Sequence, residues 1–219
     1  MGSRGMGATL KLATSLDGRI ATATGQSRWI TGPEARAEAH RLRAGHDAVM
    51  VGIETALADD PELTVRLQGY EGRQPARVVL DSRQRLQCTA KLVQTARAVP
   101  TYVITTTPAS PDLVSCGVRV LTVKAVGDGR PELESALEAL RSEGLERVLV
   151  EGGGQVAGAF LRCGLAERIE WFRAPMVLGA EGRPGIGPLA LSELADAPRF
   201  RRTEVRPVGL DLWETYERI

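Results

Sequence analysis

The stretch Val148-Leu149-Val150-Glu151-Gly152-Gly153-Gly154-Gln155-Val156-Ala157-Gly158 decides how the rest of the chain is read. Arg147–Val150 has the apolar, β-branched character of a short buried strand. Three glycines then open a helix expected over Gln155–Cys163 and ended by Gly164. Glycines let a backbone approach a ligand closely, and a helix N-terminus presents N–H groups at the positive end of its dipole. The arrangement is an anion cradle suited to a pyrophosphate. The bland alternative is a tight strand-to-helix turn, although three consecutive glycines exceed what such a turn requires. Gly152-x-Gly154-x-x-Ala157 also satisfies a dinucleotide fingerprint, with Glu170 downstream as the ribose acid. That match is discounted, because such a fingerprint normally opens its fold and too little chain follows this one. Glu170 also falls inside its predicted strand.

Outward from the glycines, β-rich runs alternate with helical patterns. Ala8–Ser15 reads as a strand that turns at Asp17-Gly18 into Arg19–Thr22. Thr31-Gly32-Pro33-Glu34 carries three helix-start signals: Thr31 to cap, Glu34 to close a capping box, and Pro33 with its fixed φ. That helix is expected to reach Ala44 and stop at Gly45. Ala48–Val51 is a short buried strand, followed by a helical turn near Glu54–Ala58. Arg77–Leu80, Thr101–Thr105 and Arg119–Val123 read as strands, and Pro131–Glu143 as a helix ended by Gly144. Arg168–Phe172, Arg199–Val205 and Asp211–Tyr216 close the chain as strands, the last two as a hairpin around Gly209. Strands alternating with helices imply parallel βα units, and the hairpin adds an antiparallel edge. One α/β domain over 8–219 is expected, preceded by Met1–Gly7 as a disordered tail or cloning remnant without the apolar stretch of a signal peptide.

Of 219 residues, 43% are apolar and 25% charged, a globular balance that argues against disorder. Lys plus Arg (28) nearly cancels Asp plus Glu (27), so the chain offers no strong field for nucleic acid or a membrane surface. No apolar run nears the roughly 18 residues that cross a bilayer. Cys88, Cys116 and Cys163 are widely spaced without a CxxC pair, which argues against a disulfide framework or a zinc site. A cytoplasmic location is expected. The basic residues are overwhelmingly arginines, which genome base composition explains for the most part. Only those inside motifs earn a role.

Three further segments carry chemistry. Lys11, alone in an apolar first strand, is costly there unless it has an anionic partner or a ligand. Trp29, just ahead of a helix start, offers a flat face for a planar ring, with core packing as the default. Arg43 and Arg66 are candidates to clamp a phosphate by bidentate contacts, although either one alone is more often a solvated charge.

Read together, these segments resemble the reductase domain of the bifunctional riboflavin-biosynthesis deaminase/reductase. The matching stretches are KLATSLDGRIA (11–21), SRWIT (27–31), the arginine in HRLRAGHDAVMVG (40–52), TALADDPELTVR (55–66), VVLDS (78–82), VEGGGQVAGAFL (150–161) and APMVLG (174–179). Each is weak alone, but the ordered set is specific and spans nearly the whole chain. The resemblance implies a dihydrofolate-reductase-like α/β fold: a twisted, mostly parallel sheet flanked by helices, with an antiparallel C-terminal hairpin. It implies NADPH-dependent reduction of 5-amino-6-(5-phosphoribosylamino)uracil to the ribitylamino compound, and a homodimer. The family's zinc deaminase carries an H-x-E and P-C-x-x-C signature. Here the histidines are His40 and His46 and no cysteine pair exists, so no deamination is expected of this chain. It reads as a stand-alone reductase or as a domain excised from a longer protein.

By the same resemblance, Glu151 and Lys11 are catalytic, Glu151 toward the reacting sugar. Ser27, Arg43, Leu63 and Arg66 fall at substrate positions. Ala13, Trp29, Thr55, Asp59, Ser82 and the run Gly153, Gly154, Gln155, Val156, Ala157, Gly158 and Ala159 fall at cofactor positions, and no metal is implied. Ser82 with Arg83 suits a 2′-phosphate, which favours NADPH over NADH. Two alternatives stand beside this reading. One is reduction of a related diaminopyrimidinone or a pterin-like substrate. The other is a non-catalytic nucleotide-binding domain, against which Lys11, Glu151 and both arginines speak.

Overall fold

Strand β1 (Ala8–Thr14) buries Ala8, Leu10, Leu12 and Thr14 and leaves Thr9, Lys11 and Ala13 half-buried on its other face. It opens a computed structural model that describes residues 7–219; Met1–Met6, and with them most of the expected tail, lie outside the described residues. After β1 come β2 (Arg19–Ala21), α1 (Pro33–Ala44), β3 (Ala48–Gly52), α2 (Ile53–Asp59) and β4 (Ala76–Leu80). Next are α3 (Lys91–Gln94), β5 (Thr101–Thr105), α4 (Pro111–Ser115), β6 (Arg119–Thr122) and α5 (Leu133–Ser142). The chain ends with β7 (Val148–Gly152), α6 (Gly154–Arg162), β8 (Ala166–Arg173), the short β9 (Arg183–Pro184), β10 (Phe200–Val208) and β11 (Asp211–Arg218). The sheet is mostly parallel, flanked by helices, with antiparallel C-terminal strands. Two compact units make up the described chain: His40–Leu149, and a terminal unit of Gly7–Ala39 with Val150–Ile219.

In the His40–Leu149 unit, β3, β4, β5 and β6 pair in that order, all parallel. β3 and β5 are buried at every position, as expected of parallel strands covered on both faces. Val49, Val51, Val79 and Val103 from these strands meet Leu86, Leu92, Val93, Leu113 and Val118 in one core cluster. Arg77 breaks the apolar pattern, being 1% exposed. Its guanidinium donates to Thr95 Oγ1 (2.6 Å), Thr101 Oγ1 (2.6 Å) and the carbonyls of Leu92 (3.2 Å) and Val99 (2.7 Å). Burial pulls its pKa down to about 10, which still leaves it charged at neutral pH.

In the terminal unit, β8 pairs parallel with β1 and antiparallel with β11, and β10 completes the hairpin on β11. β10 is the edge, and it carries Arg201, Arg202, Arg206 and Pro207, which discourage further strand pairing. Glu170 is 2% exposed at the register position beside Lys11. Its carboxylate accepts from Arg168 Nε (2.5 Å), Trp213 Nε1 (2.6 Å) and Thr215 Oγ1 (2.8 Å). The acid suggested by the dinucleotide fingerprint is thus a satisfied core group.

The start of α1 differs from the capping box expected around Thr31. Pro33 takes the first helical position, so Gly32 becomes the cap: its carbonyl accepts the Arg36 N–H (3.1 Å), while its own N–H donates to Asp211 Oδ2 (2.6 Å). A carboxylate from the C-terminal hairpin therefore does the work that sequence spacing assigned to Glu34.

The β1–β2 turn is tied to the Ala174–Gly179 stretch by Asp17. It accepts from Ser15 Oγ (2.6 Å) and from the N–H groups of Leu178 (3.1 Å) and Gly179 (2.8 Å). The Ser15 hydroxyl and the Leu178 N–H hold its carboxyl down to about 2, below the ordinary 3.8. A lowered folded-state pKa contributes stability above the unfolded value, and that contribution is lost as pH falls through the folded one. The melting-temperature difference between the parent chain and Asp17→Asn is therefore expected to be constant near neutral pH and to shrink from about pH 4 to about pH 2. A gap that stays constant down to pH 2 would count against this account.

Candidate active site

The lysine that looked costly in β1 has the partner it requires. Lys11 Nζ lies 3.8 Å from Glu151 Oε2 on the neighbouring β7, with the two side chains only 16% and 6% exposed. Ala13 shares the half-buried face of β1 with Lys11. β7 runs two residues further than Val150, so Glu151 lies within the strand near its C-terminal end, where the sequence reading put it.

Gly152 ends β7, and Gly153, with φ 80° and ψ 123°, caps α6. The first bond of that helix is the Ala157 N–H to the Gly153 carbonyl (3.1 Å). Gly154, Gln155 and Val156 thus bring their N–H groups to the helix end without an intrahelical acceptor, at the positive end of the dipole. The glycines also have local reasons. Gly153 needs its positive φ. A Cβ on Gly154 would lie 2.4 Å from the Pro184 carbonyl, and one on Gly158 would lie 3.0 Å from that of Gly187. The Gly187 N–H donates to the Gly154 carbonyl (2.7 Å), fastening the Pro184–Gly187 segment along α6. The case for an anion therefore rests on the N–H groups rather than on the number of glycines.

Trp29 is not a core residue: it is 65% exposed, and the Arg36 guanidinium sits 4.4 Å from its ring centroid. Its face is held by a cation, as expected of an aromatic kept in a fixed orientation at a surface. Ser27 is half-buried just before it.

In the His40–Leu149 unit, the end of α1 gathers three of the expected substrate residues. Arg43 Nη1 donates to the Thr64 carbonyl (2.8 Å), and the Arg66 N–H donates to His40 Nδ1 (3.2 Å). Leu63 is buried with φ 55°. A non-glycine residue in the left-handed region persists only where its surroundings over-determine it, a condition concentrated at ligand clamps. Arg66 extends to Glu62, Nη1 to Oε2 3.1 Å, with both side chains about half exposed. Thr55 and Asp59 lie on α2. Ser82 follows β4, and its carbonyl accepts from Thr105 Oγ1 (3.0 Å). The tie from Asp17 to Leu178 and Gly179 went unread in the sequence. The two ends of the tie were read separately, Asp17-Gly18 as a turn and APMVLG (174–179) as a matching stretch, with no local signal linking them.

A mostly parallel sheet closed by an antiparallel hairpin, with a strand-borne Lys–Glu pair leading into a glycine turn and helix, defines a dihydrofolate-reductase-like α/β protein. The RibD C-terminal domain family model matches residues 8–213. The riboflavin biosynthesis protein RibD of Aquifex aeolicus is 39% identical over 206 residues, covering 93% of this chain and 55% of that protein. The 2,5-diamino-6-ribosylamino-4(3H)-pyrimidinone 5′-phosphate reductase of Methanothermobacter thermautotrophicus is 37% identical over 209 residues, covering 94% of this chain and 95% of that protein. The solved structure of Acinetobacter baumannii RibD aligns with a TM-score of 0.87 at 33% identity, covering 99% of this chain and 59% of the other. The chain belongs to the RibD C-terminal domain family. It spans little more than half the length of the RibD proteins it matches.

Proposed function

We propose that this chain is an NADPH-dependent reductase that converts 5-amino-6-(5-phosphoribosylamino)uracil to its 5-phosphoribitylamino product in riboflavin biosynthesis, acting at C1′ of the ring-opened sugar. The observation that carries the reading is the Lys11–Glu151 pair, two largely buried opposite charges on adjacent strands directly ahead of the α6 N-terminus. The bound dinucleotide supplies the hydride.

On this reading the N–H groups of Gly154, Gln155 and Val156 hold the pyrophosphate, with the run from Gly153 to Ala159 along it. The fit rests on the helix end they form. Ala13, Trp29, Thr55, Asp59 and Ser82 are assigned to the rest of the cofactor, with Arg83, exposed next to Ser82, toward a 2′-phosphate. Arg43 and Arg66 are assigned to the 5-phosphate, and Ser27 and Leu63 to the rest of the substrate. Glu151 favours positive charge developing at C1′, and Lys11 holds a sugar hydroxyl or passes the proton that completes ring opening. The protein is proposed to act in the cytoplasm as a single reductase domain, in a homodimer. Among the described residues no helix is long and apolar enough to cross a membrane.

One observation favours a second substrate. The archaeal relative named for a diaminopyrimidinone is matched over 95% of its length, whereas the RibD proteins are matched over little more than half. NADPH oxidation measured side by side with the uracil and the diaminopyrimidinone ribosylamino phosphates decides between them. Turnover of the uracil compound at the higher kcat/KM is the expected result, and turnover of neither would defeat the reading.

A further inference from the structure

The connection that leaves β4 is fastened all around the two residues assigned to the cofactor there. Asp81 is 0% exposed: its N–H donates to the Ile104 carbonyl on β5 (2.9 Å), and its carboxylate accepts the Leu86 N–H (2.9 Å), closing residues 81–86 into a loop. The Ser82 carbonyl accepts from Thr105 Oγ1 (3.0 Å) and Thr106 Oγ1 (3.4 Å). Arg85 is ion-paired with Glu54 on α2. Gln84 takes the left-handed region, φ 51°, and engages both ends of its amide. Nε2 donates to Thr107 Oγ1 (2.8 Å) and to the Pro108 carbonyl (2.8 Å), while Oε1 accepts the Ser110 N–H (2.6 Å). One half-buried glutamine thus bridges the β4–α3 and β5–α4 connections. By contrast, the Ser82 hydroxyl and the Arg83 guanidinium have no partner among the described residues.

We propose that Gln84 is a positioning residue for the 2′-phosphate of the cofactor and thereby sets the preference for NADPH over NADH. The inference rests on the reading of this chain as a reductase that uses NADPH. β4 and β5 run parallel, and the loop stands at their C-terminal ends, where α/β sheets place their ligands. A hydroxyl and a guanidinium are the donors that suit a phosphate monoester. On a slack loop both side chains have to be ordered as the ligand binds, which costs affinity; on a fastened loop that ordering is already done. Gln84 supplies the fastening, since its amide is engaged with Thr107, Pro108 and Ser110 and the residue before it is Arg83. Asp81 fits the same preference. An acid at the end of a strand can accept the free ribose hydroxyls of NADH, but the Asp81 carboxylate is buried and turned onto the N–H of its own loop.

The test is to titrate the full chain separately with NADPH and NADH, recording both dissociation constants and the melting temperature for the parent, Gln84→Ala, Thr107→Val and Arg83→Ala. Gln84→Ala is expected to weaken NADPH binding about tenfold, the low end of what losing an outer orienting partner costs at metal sites, with NADH binding unchanged. Thr107→Val, at an exposed position, removes one partner of Gln84 and is expected to act in the same direction by a smaller factor. Arg83→Ala removes the guanidinium itself and is expected to erase the preference. A Gln84→Ala variant that loses affinity for both cofactors alike, along with melting temperature, has only a structural role and overturns the proposal. So does one that keeps the NADPH preference of the parent while Arg83→Ala loses it, and in that case the NADPH reading stands. A parent chain that binds NADH as tightly as NADPH overturns the 2′-phosphate reading and the proposal with it.

Discussion

Glu151→Gln is expected to lower single-turnover hydride transfer by about 10²–10⁴-fold, the range a positioned acid–base group is worth, while NADPH still binds. The carboxylate ends up 3.8 Å from Lys11 Nζ on the adjacent strand and is only 6% exposed. An interaction with positive charge appearing at C1′ strengthens in the transition state, so its loss lowers kcat more than it raises KM. The substitution also removes one member of a largely buried pair, which costs up to about 3–5 kcal/mol of stability. A drop in melting temperature therefore accompanies the drop in rate and is not itself the readout. The competing role, in which Glu151 only supports the helix that follows, separates cleanly. It predicts a lowered melting temperature with a normal hydride-transfer rate in the folded fraction, and that outcome would remove Glu151 from the mechanism.

Arg66→Ala is expected to raise the substrate KM by one decade or more and to leave NADPH affinity unchanged. Losing one arginine from a desolvated phosphate contact costs about 2–5 kcal/mol, and the half-exposed side chain of Arg66 places it at the lower end of that range. Glu62 now holds the guanidinium, so a substrate phosphate has to win Arg66 from a carboxylate. Glu62→Gln is the natural companion, expected to leave the KM unchanged or lower it. Identical kinetics for Arg66→Ala and the parent with the phosphorylated substrate would move the phosphate elsewhere. Arg43 is a poorer first choice for this test. Its bond to the Thr64 carbonyl means that its removal disturbs the backbone ahead of Arg66 as well as any phosphate contact.

Within the candidate site, what the sequence conveyed was residue type and order. Lys11 required an anionic partner or a ligand because an unpaired ammonium in a buried strand is too costly, and Glu151 on the adjacent strand supplies the anion at 3.8 Å. Gly153 demanded a turn. Trp29 and Arg66 gave no comparable signal, because neither an exposed aromatic nor an exposed arginine pays a penalty that marks its surroundings. Their partners, Arg36 and Glu62, are set by the folded chain.

Local patterning by itself determined the order of the main strands and the longer helices and the parallel βα character, while the short α3, α4 and β9 went unread. Apolar periodicity, β-branched runs and the stops at Gly45, Gly144 and Gly164 act over a few residues and need no distant partner. Tertiary structure alone decided which polar groups are buried and what satisfies them. Arg77 and Glu170 look like ordinary strand charges in the sequence, yet both are buried and held by groups brought in from other strands and connections. The cap of α1 fell to Gly32 because Asp211, far along the chain, supplies its acceptor. Gly154 must lack a side chain because Pro184 and Gly187 pass against it. The physical reason is common to all of these. Desolvation and close packing are set by atoms remote in sequence, so their cost and their compensation appear only once the chain has folded.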